Sequence, residues 1–386
     1  MLALRLDRLL PGLVAAHSAE FSGVPGAAEP ASPPALVREA GRLARRLPDA
    51  GLEPARERFL AAQVNALEYT ARRLTGQRLT FVEEVTRCFG VRPTLADPAV
   101  YRQAHRDLDA LLPGRGPLAE RLAAHRHRDE VPPARLLDAL RALSAELRER
   151  TRAHWPLPAD ESVEYRLVDG APWAALHRFH GAHRSVVNVN VAARPRHGQL
   201  PRLVAHEAYP GHHTERCRKG ITLIAERGWR EHALVVVRSP QSVVAEGAAQ
   251  LALDVVVGPG WGGWAEEILR GIGLGFDGEL AERLDRATSA LRRVRLDAAL
   301  MLHERRVAPV EVAAYVGRWL LIGDAAARSL VDRLVPRLWR GYAVTYVEGA
   351  RMVREWCGGG PAMVQRYGEL LDEPVTPGSL ARAAAA

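Results

Sequence analysis

The eight-residue stretch His206-Glu207-Ala208-Tyr209-Pro210-Gly211-His212-His213 contains three imidazoles and one carboxylate. Neutral imidazole nitrogens are common zinc ligands. A carboxylate can bind the metal or act as a base on a nearby water molecule. The residue types in this stretch therefore predict a metal site, with zinc as the expected ion.

The spacing differs from the common zinc-peptidase arrangement His-Glu-x-x-His, in which two histidines share one helix face and the Glu is the general base. Here Pro210 occupies the fourth position after His206, and Pro-Gly cannot continue a regular helix. In an unbroken helix His212 would lie about 240° around the axis from His206, and His213 would lie roughly 10 Å further along it. We therefore predict a helix that ends near Tyr209, a kink, and a second segment that returns His212 or His213 to the metal.

The motif resembles His-Glu-x-x-Pro-Gly-His-His, the signature of the bacterial domain-of-unknown-function 885 family, which is placed with the gluzincin zinc metallopeptidases. In that group a Glu on a later helix completes the metal site, usually within Glu-Gly-Trp-Ala. The matching stretch here is Glu246-Gly247-Ala248-Ala249, forty residues after His206 and without the Trp. The resemblance extends over most of the chain, and it implies that Glu246 is the third zinc ligand.

The sequence around Glu246 supports this assignment separately. Residues 243–249 are predicted to form a nearly apolar helix that begins after Ser239-Pro240, a normal N-cap followed by Pro at the first helical position. A buried carboxylate in such a helix is costly unless it is paired or coordinates a metal.

The resemblance and the residue order together suggest a role for each side chain. We favour His212 over His213 as the second ligand, because a two-residue insertion into His-Glu-x-x-His ends there and the family resemblance agrees; His213 stays the alternative. Glu207, next to the first ligand, is the expected general base and then acid. Weaker similarities to the family near Tyr346 and His303 imply that one of these side chains donates a hydrogen bond to the developing oxyanion.

A second group of histidines, His177, His180 and His183, lies in a predicted hairpin between strands at 173–179 and 185–191. Few carboxylates lie nearby, so we predict a solvated turn in which one of these histidines lines a cleft and assists proton transfer. The second strand resembles the gluzincin strand whose free edge binds extended substrate. An ordinary sheet strand with solvent-facing Asn explains the same pattern equally well.

The elements that must position these groups are predicted to be mostly helices. Helical spacing of apolar residues is evident at 54–75 and 133–154, and further helices are predicted at 1–20, 80–89, 98–112, 117–128, 278–304, 309–321, 324–339 and 342–356. A further strand is predicted at 163–168. The predicted fold class is mainly α with a small β-sheet (α+β), in a gluzincin-like architecture with helical walls around a cleft. We divide the chain into a helical region (1–155), a small sheet with the zinc-site helices (156–258) and a second helical region (259–386), all within one compact unit.

Composition excludes several classes of protein. The chain has 53 basic and 45 acidic residues, and Lys219 is the single lysine, which leaves 53 − 1 = 52 arginines. These arginines alternate with Asp and Glu along amphipathic helices, as on solvated faces, so we predict no nucleic-acid partner.

Three distant cysteines predict no disulfide framework. The charged residues among the first ten are unlike a signal peptide, and no apolar stretch has transmembrane length. We therefore expect a cytoplasmic protein with no membrane partner.

The predicted function is zinc-dependent hydrolysis of peptide or related amide bonds in short substrates held between helical walls. Two alternatives stay open. One is a catalytically inactive metal-binding or helical binding protein, which the missing Trp after Glu246-Gly247 favours. The other is a hydrolase of non-peptide amides in specialised metabolism.

Overall fold

The fold was obtained as a computed structural model that describes residues 1–17, 31–336 and 338–384. It is 66% helical and 7% strand, which confirms a mainly α protein with small sheets.

The α-helices are α1 (Leu2–Leu9), α2 (Pro33–Arg46), α3 (Pro54–Leu74), α4 (Phe81–Phe89), α5 (Pro98–Leu111), α6 (Leu118–Arg128), α7 (Pro133–His154), α8 (Leu200–Glu207), α9 (His212–Lys219), α10 (Pro240–Val256), α11 (Trp261–Gly271), α12 (Gly278–Thr288), α13 (Val294–His303), α14 (Pro309–Leu320), α15 (Asp324–Leu334), α16 (Ala350–Cys357), α17 (Pro361–Asp372) and α18 (Pro377–Ala384). The strands are β1 (Val14–His17), β2 (Ser162–Val168), β3 (Ala175–Phe179), β4 (Arg184–Asn190) and β5 (Leu234–Val236), and π-helices span Gly220–Glu226 and Thr345–Gly349.

The larger sheet has the strand order β2-β4-β3, with β4 parallel to β2 and antiparallel to β3. The predicted hairpin between β3 and β4 is confirmed. However, β4 is the central strand and both of its edges are hydrogen-bonded, so the expectation that it offers a free edge to substrate is wrong. In this sheet β3 is the edge strand that contacts α8 and α9.

Helix α10 lies at the centre of the molecule. Only Gln250 and Asp254 of its 17 residues escape full burial, so other elements surround this helix on nearly every side. It contacts α8, α16, α17 and the π-helix Thr345–Gly349, and it shares a core with α7 and the sheet. Among the described residues no single helix has both the length and the hydrophobicity to cross a membrane, although α10 and α11 meet that test when taken together as a pair bent by 79°.

Two glycines allow α10 to approach the π-helix Thr345–Gly349 closely. A Cβ atom on Gly247 would lie 2.4 Å from the Gly349 carbonyl oxygen, and a Cβ on Gly349 would lie 2.2 Å from the Val243 oxygen. No larger residue fits at either position without moving the backbone. The contact places the segment that carries Tyr342 and Tyr346 beside Glu246.

Several predicted helix boundaries are wrong. The first helix ends at Leu9, and the chain then forms β1. This strand pairs with β5, which begins at Leu234. Residues 18–20 of the predicted helix lie outside the described part. The helix predicted at 278–304 is interrupted by a 3-10 segment at Ser289–Arg293, where Arg293 bonds Glu348 and Thr94. The helix predicted at 324–339 ends at Leu334, because Pro336 follows closely and disfavours helical geometry before it.

A buried histidine outside the motif predicts sensitivity to acid. His232 is 3% exposed and stacks on Phe59, with 4.4 Å between ring centroids. Burial, together with the positive charges of Lys219 and Arg216, holds the pKa of His232 well below 6.5. The unfolded chain therefore binds a proton that the folded chain does not, so stability is lost as pH falls below about 6.5. We expect His232→Leu to reduce the slope of unfolding free energy against pH by up to about 1.4 kcal/mol per pH unit between pH 6 and 4.

This prediction is measured by urea unfolding of the metal-free protein at a series of pH values. Equal slopes for the wild type and His232→Leu would show that protonation of His232 does not oppose folding.

Candidate metal centre

Three potential ligands from three separate helices meet at one place. His206 lies in the last turn of α8, His212 is the first residue of α9, and Glu246 lies in α10. One donor atom from each residue lies within 4.8 Å of the other two. The His206 and His212 rings are 4.7 Å apart and nearly perpendicular, and both side chains are 15% exposed. The group is therefore partly open to solvent.

The Pro-Gly break brings His212 back towards His206. Helix α8 ends at Glu207, two residues before the predicted end, and the Tyr209–Pro210 peptide bond is cis. A Cβ atom on Gly211 would lie 1.9 Å from the His206 carbonyl oxygen, so the turn packs too tightly against the end of α8 for any larger residue. Helix α9 then begins at once with His212.

The two oxygens of Glu246 have different surroundings. Oε1 accepts a hydrogen bond of 2.7 Å from the Tyr342 hydroxyl. Oε2 is buried, accepts no hydrogen bond from any described residue, and lies 3.3 Å from His206 Nε2. Oε1 lies 3.6 Å from His212 Nε2. Zinc bonds of about 2.0–2.1 Å in a tetrahedral site put neighbouring ligand atoms roughly 3.3–3.4 Å apart. The two distances between imidazole and carboxylate are close to that value, and the residue types suit zinc.

Neighbouring charges also affect the metal-free site. Burial would lower the pKa of His212, but the Glu246 and Glu215 carboxylates outweigh it and raise this pKa to about 10. Conversely, burial would raise the pKa of Glu246, but His212 and His206 hold it well below the usual range. A metal ion must therefore displace a proton from His212 when it binds. Glu215 Oε2 lies 4.0 Å from His212 Nδ1, while Glu215 Oε1 bonds Lys219 Nζ at 2.6 Å.

Two of the predicted catalytic residues lie beside these ligands. Glu207 follows His206 directly and is half-buried, and its carboxylate forms no hydrogen bond or ion pair with the residues that the structure describes. The Tyr346 ring lies 6.5 Å from the His206 ring. Burial and the charges of Glu246 and Glu207 raise the pKa of Tyr346 well above 10, so its hydroxyl keeps its proton.

The structure does not bring His213 or His303 into this group. His213 is fully buried and points away from the ligands, since its Nε2 donates to Glu161 at 3.0 Å. His303 donates from Nε2 to the Leu334 carbonyl at 2.8 Å, and its ring packs on Phe81 with 5.2 Å between ring centroids. His303 is thus held by structural contacts, and the oxyanion-donor hypothesis passes to Tyr346.

The three hairpin histidines have different environments. His180 is exposed in the turn, and His183 faces the exposed carboxylate of Asp160 at 3.3 Å. His177 is half-buried, and its ring lies 5.8 Å from the His212 ring. His177 is therefore the hairpin histidine that lies next to the candidate ligand His212.

Sequence reasoning missed two residues that support the site. Tyr342, which bonds Glu246, lies four residues before Tyr346. Two tyrosines at this i, i+4 spacing share one face of a helix, and this spacing was the sequence pattern that could have identified Tyr342. Glu161 lies 45 residues before His206 and has no local pattern that reveals it. Burial would raise the pKa of Glu161, but hydrogen bonds from His213, Tyr209 and Arg148 lower it to about 2.

Tyr342 should affect metal binding although it is not a ligand. Its hydroxyl fixes Oε1 of Glu246 and so leaves Oε2 facing His206. Loss of such an outer contact typically weakens metal affinity 10- to 100-fold. We expect Tyr342→Phe to weaken zinc affinity at least about 10-fold, as measured by competition with a chromophoric chelator. Tyr346→Phe is the matched control, because the Tyr346 hydroxyl bonds no described residue; its affinity should stay within about twofold. Equal affinities for both variants would contradict the role given to Tyr342.

Comparison with known proteins yields similarity of fold alone. No protein-family model matches the chain, and no curated protein matches it. A solved structure described as a "putative lipoprotein" from Colwellia psychrerythraea aligns with a TM-score of 0.56 and 16% identity over 91% of this chain. A "putative lipoprotein of unknown function" from Shewanella oneidensis aligns with a TM-score of 0.52 and 12% identity, covering 92% of this chain and 73% of that one. The chain spans 66% of the Colwellia protein, slightly less than two thirds of its length.

Proposed function

We propose that this protein is a zinc-dependent hydrolase that cleaves peptide or related amide bonds of short substrates. The observation that carries the proposal is the meeting of His206, His212 and Glu246, with the orphaned Oε2 of Glu246 aimed at the imidazoles and Glu207 beside them. Three protein ligands and an accessible position are typical of catalytic zinc sites, whereas structural sites have four protein ligands.

In the proposed reaction His206, His212 and Glu246 hold the metal. When bound, zinc would act as a Lewis acid and lower the pKa of water towards neutrality. Glu207 takes a proton from the attacking water and returns it to the departing amine, because its carboxylate is free of partners among the described residues. Tyr346 keeps its proton and donates a hydrogen bond to the substrate oxygen that gains negative charge.

The resemblance to the domain-of-unknown-function 885 family adds support through its motif residues alone, and membership of that family stays a prediction. Short substrates remain the predicted class, because both imidazole ligands are only 15% exposed and a folded protein would reach them poorly.

Many arginines are paired with carboxylates, as in Arg218 with Asp372 and Arg227 with Glu373, which supports the absence of a nucleic-acid partner. A cytoplasmic location without a membrane partner is likewise our prediction.

The test combines metal analysis with a substrate screen. Purified protein is examined by elemental mass spectrometry and then incubated with mixed short peptides and N-acyl amides, with and without a chelator. One zinc per chain and chelator-sensitive peptide cleavage are the expected results. Cleavage of amides alone would indicate the non-peptide hydrolase. Bound zinc without any turnover would favour a catalytically inactive metal-binding protein, and absence of metal after incubation with zinc would overturn the proposal.

A further inference from the structure

Glu161 connects the two sides of the turn that carries His212. Its Oε2 atom accepts a hydrogen bond from the Tyr209 hydroxyl at 2.5 Å and another from His213 Nε2 at 3.0 Å. Tyr209 precedes Pro210-Gly211 and His213 follows His212, so both residues that flank this segment bind one oxygen atom.

The other side of the carboxylate is fixed to the core. Oε1 of Glu161 accepts hydrogen bonds from Arg148 Nε at 2.5 Å and from Arg152 Nη2 at 2.9 Å, and both arginines belong to α7. The Glu161 side chain is fully buried. This buried carboxylate accepts from four donors, two of which are arginines that compensate its charge, and removing any of them would be costly. Glu161 is therefore a fixed point relative to α7.

The same network reaches His212 from a second side. His213 Nδ1 and His177 Nε2 each lie 2.8 Å from the Ser185 Oγ atom, on the central strand β4. The His177 ring then lies 5.8 Å from the His212 ring. One hydrogen-bonded chain thus holds the side chains of Tyr209 and His213, on either side of His212, and positions His177 next to the His212 imidazole.

Side-chain contacts matter in this turn because the regular helical hydrogen bonds are interrupted there; the Tyr367 hydroxyl, for example, donates to the Pro210 carbonyl oxygen at 3.3 Å. Helix α8 has ended and α9 has only begun, and the backbone bonds across the break are Gly211 N to Ala205 O at 2.9 Å and Thr214 N to Ala208 O at 3.3 Å. A metal ligand must be held within about 0.5 Å of its working position. We propose that Glu161 is a positioning residue for the metal ligand His212: it clamps Tyr209 and His213 on either side of that ligand and so sets its place opposite Glu246. The proposal rests on the metal site of the proposed function.

Tyr209→Phe tests the clamp with the smallest change, because it removes one hydroxyl and leaves both arginine contacts of Glu161. Tyr165→Phe is the matched control: its buried hydroxyl bonds Ser144 Oγ at 3.0 Å, and among the described residues it forms no hydrogen bond with Glu161, Tyr209 or His213. We expect zinc affinity, measured by chelator competition, to weaken about 10-fold in Tyr209→Phe, and about twofold at most in Tyr165→Phe. A second measurement is amide hydrogen exchange of the metal-free protein, in which residues 205–215 should exchange faster in Tyr209→Phe alone.

The two readouts separate this proposal from the proposed function. Zinc affinity unchanged by Tyr209→Phe, or weakened equally by Tyr165→Phe, would overturn the clamp even if peptides are cleaved. If the wild type binds no zinc, the hydrolase proposal fails. Exchange in the metal-free protein then decides the clamp: unchanged exchange of the turn overturns it, and selectively faster exchange retains Glu161 as the residue that orders His212.

Discussion

Glu207→Gln is expected to reduce hydrolysis about 10²- to 10⁴-fold while one zinc ion stays bound per chain. The glutamine has nearly the same shape as glutamate but cannot accept a proton at neutral pH. Glu207 is not among the three ligand residues that meet, so its replacement should leave the metal in place. Its charge contributes to raising the pKa of His212, Tyr342 and Tyr346, so the carboxylate lies within electrostatic reach of these three residues of the candidate site.

The measurement is kcat/KM for the peptide that the substrate screen identifies, with zinc content determined on the same samples. Glu164→Gln is a matched control, since Glu164 is exposed on β2 and paired with Arg166. Its kcat/KM should stay within about twofold of the wild type, as is usual for surface changes. Turnover by Glu207→Gln near the wild-type rate would remove Glu207 as the general base. Loss of zinc would instead show that Glu207 helps to hold the ion.

Glu246→Ala and His212→Ala should each abolish stoichiometric zinc binding, whereas His213→Ala should not. Each of the first two changes removes one of three ligands, and Glu246→Ala also leaves two imidazoles without the carboxylate that faces them. His213 instead bonds Glu161 and Ser185. At saturating zinc we expect about one ion per chain in His213→Ala and less than about a tenth of that in the other two variants, since two protein ligands make a weak zinc site.

Elemental mass spectrometry after removal of excess zinc gives these stoichiometries. His180→Ala, a change at an exposed turn residue, controls for general effects of losing an imidazole. Zinc retained in His212→Ala and lost in His213→Ala would reverse the assignment of the second ligand. A His213→Ala variant that binds one zinc ion, but more weakly than the wild type, agrees with both the ligand set and the Glu161 clamp.

Much of the secondary structure follows from the sequence alone, because local rules govern it. Apolar residues at helical spacing predicted α3 and α7 within a residue of their observed ends, and Ser239-Pro240 marked the start of α10. The break in the motif was also predictable, since proline and glycine act on their own backbone. The failures occurred where distant residues decide. Strand β1 exists because β5 pairs with it, and β4 is central because β2 and β3 lie on both sides.

The sequence by itself predicted a zinc site from the density of His and Glu in one broken helix, and the apolar surroundings of Glu246 indicated a buried carboxylate. Only the tertiary structure separated His212 from His213, because neighbouring residues at a helix start point about 100° apart and the spacing cannot tell which one faces α10. It also excluded His303 from the site and introduced Tyr342 and Glu161. Such contacts between distant segments depend on how the helices pack, and no sequence pattern within either segment reveals them.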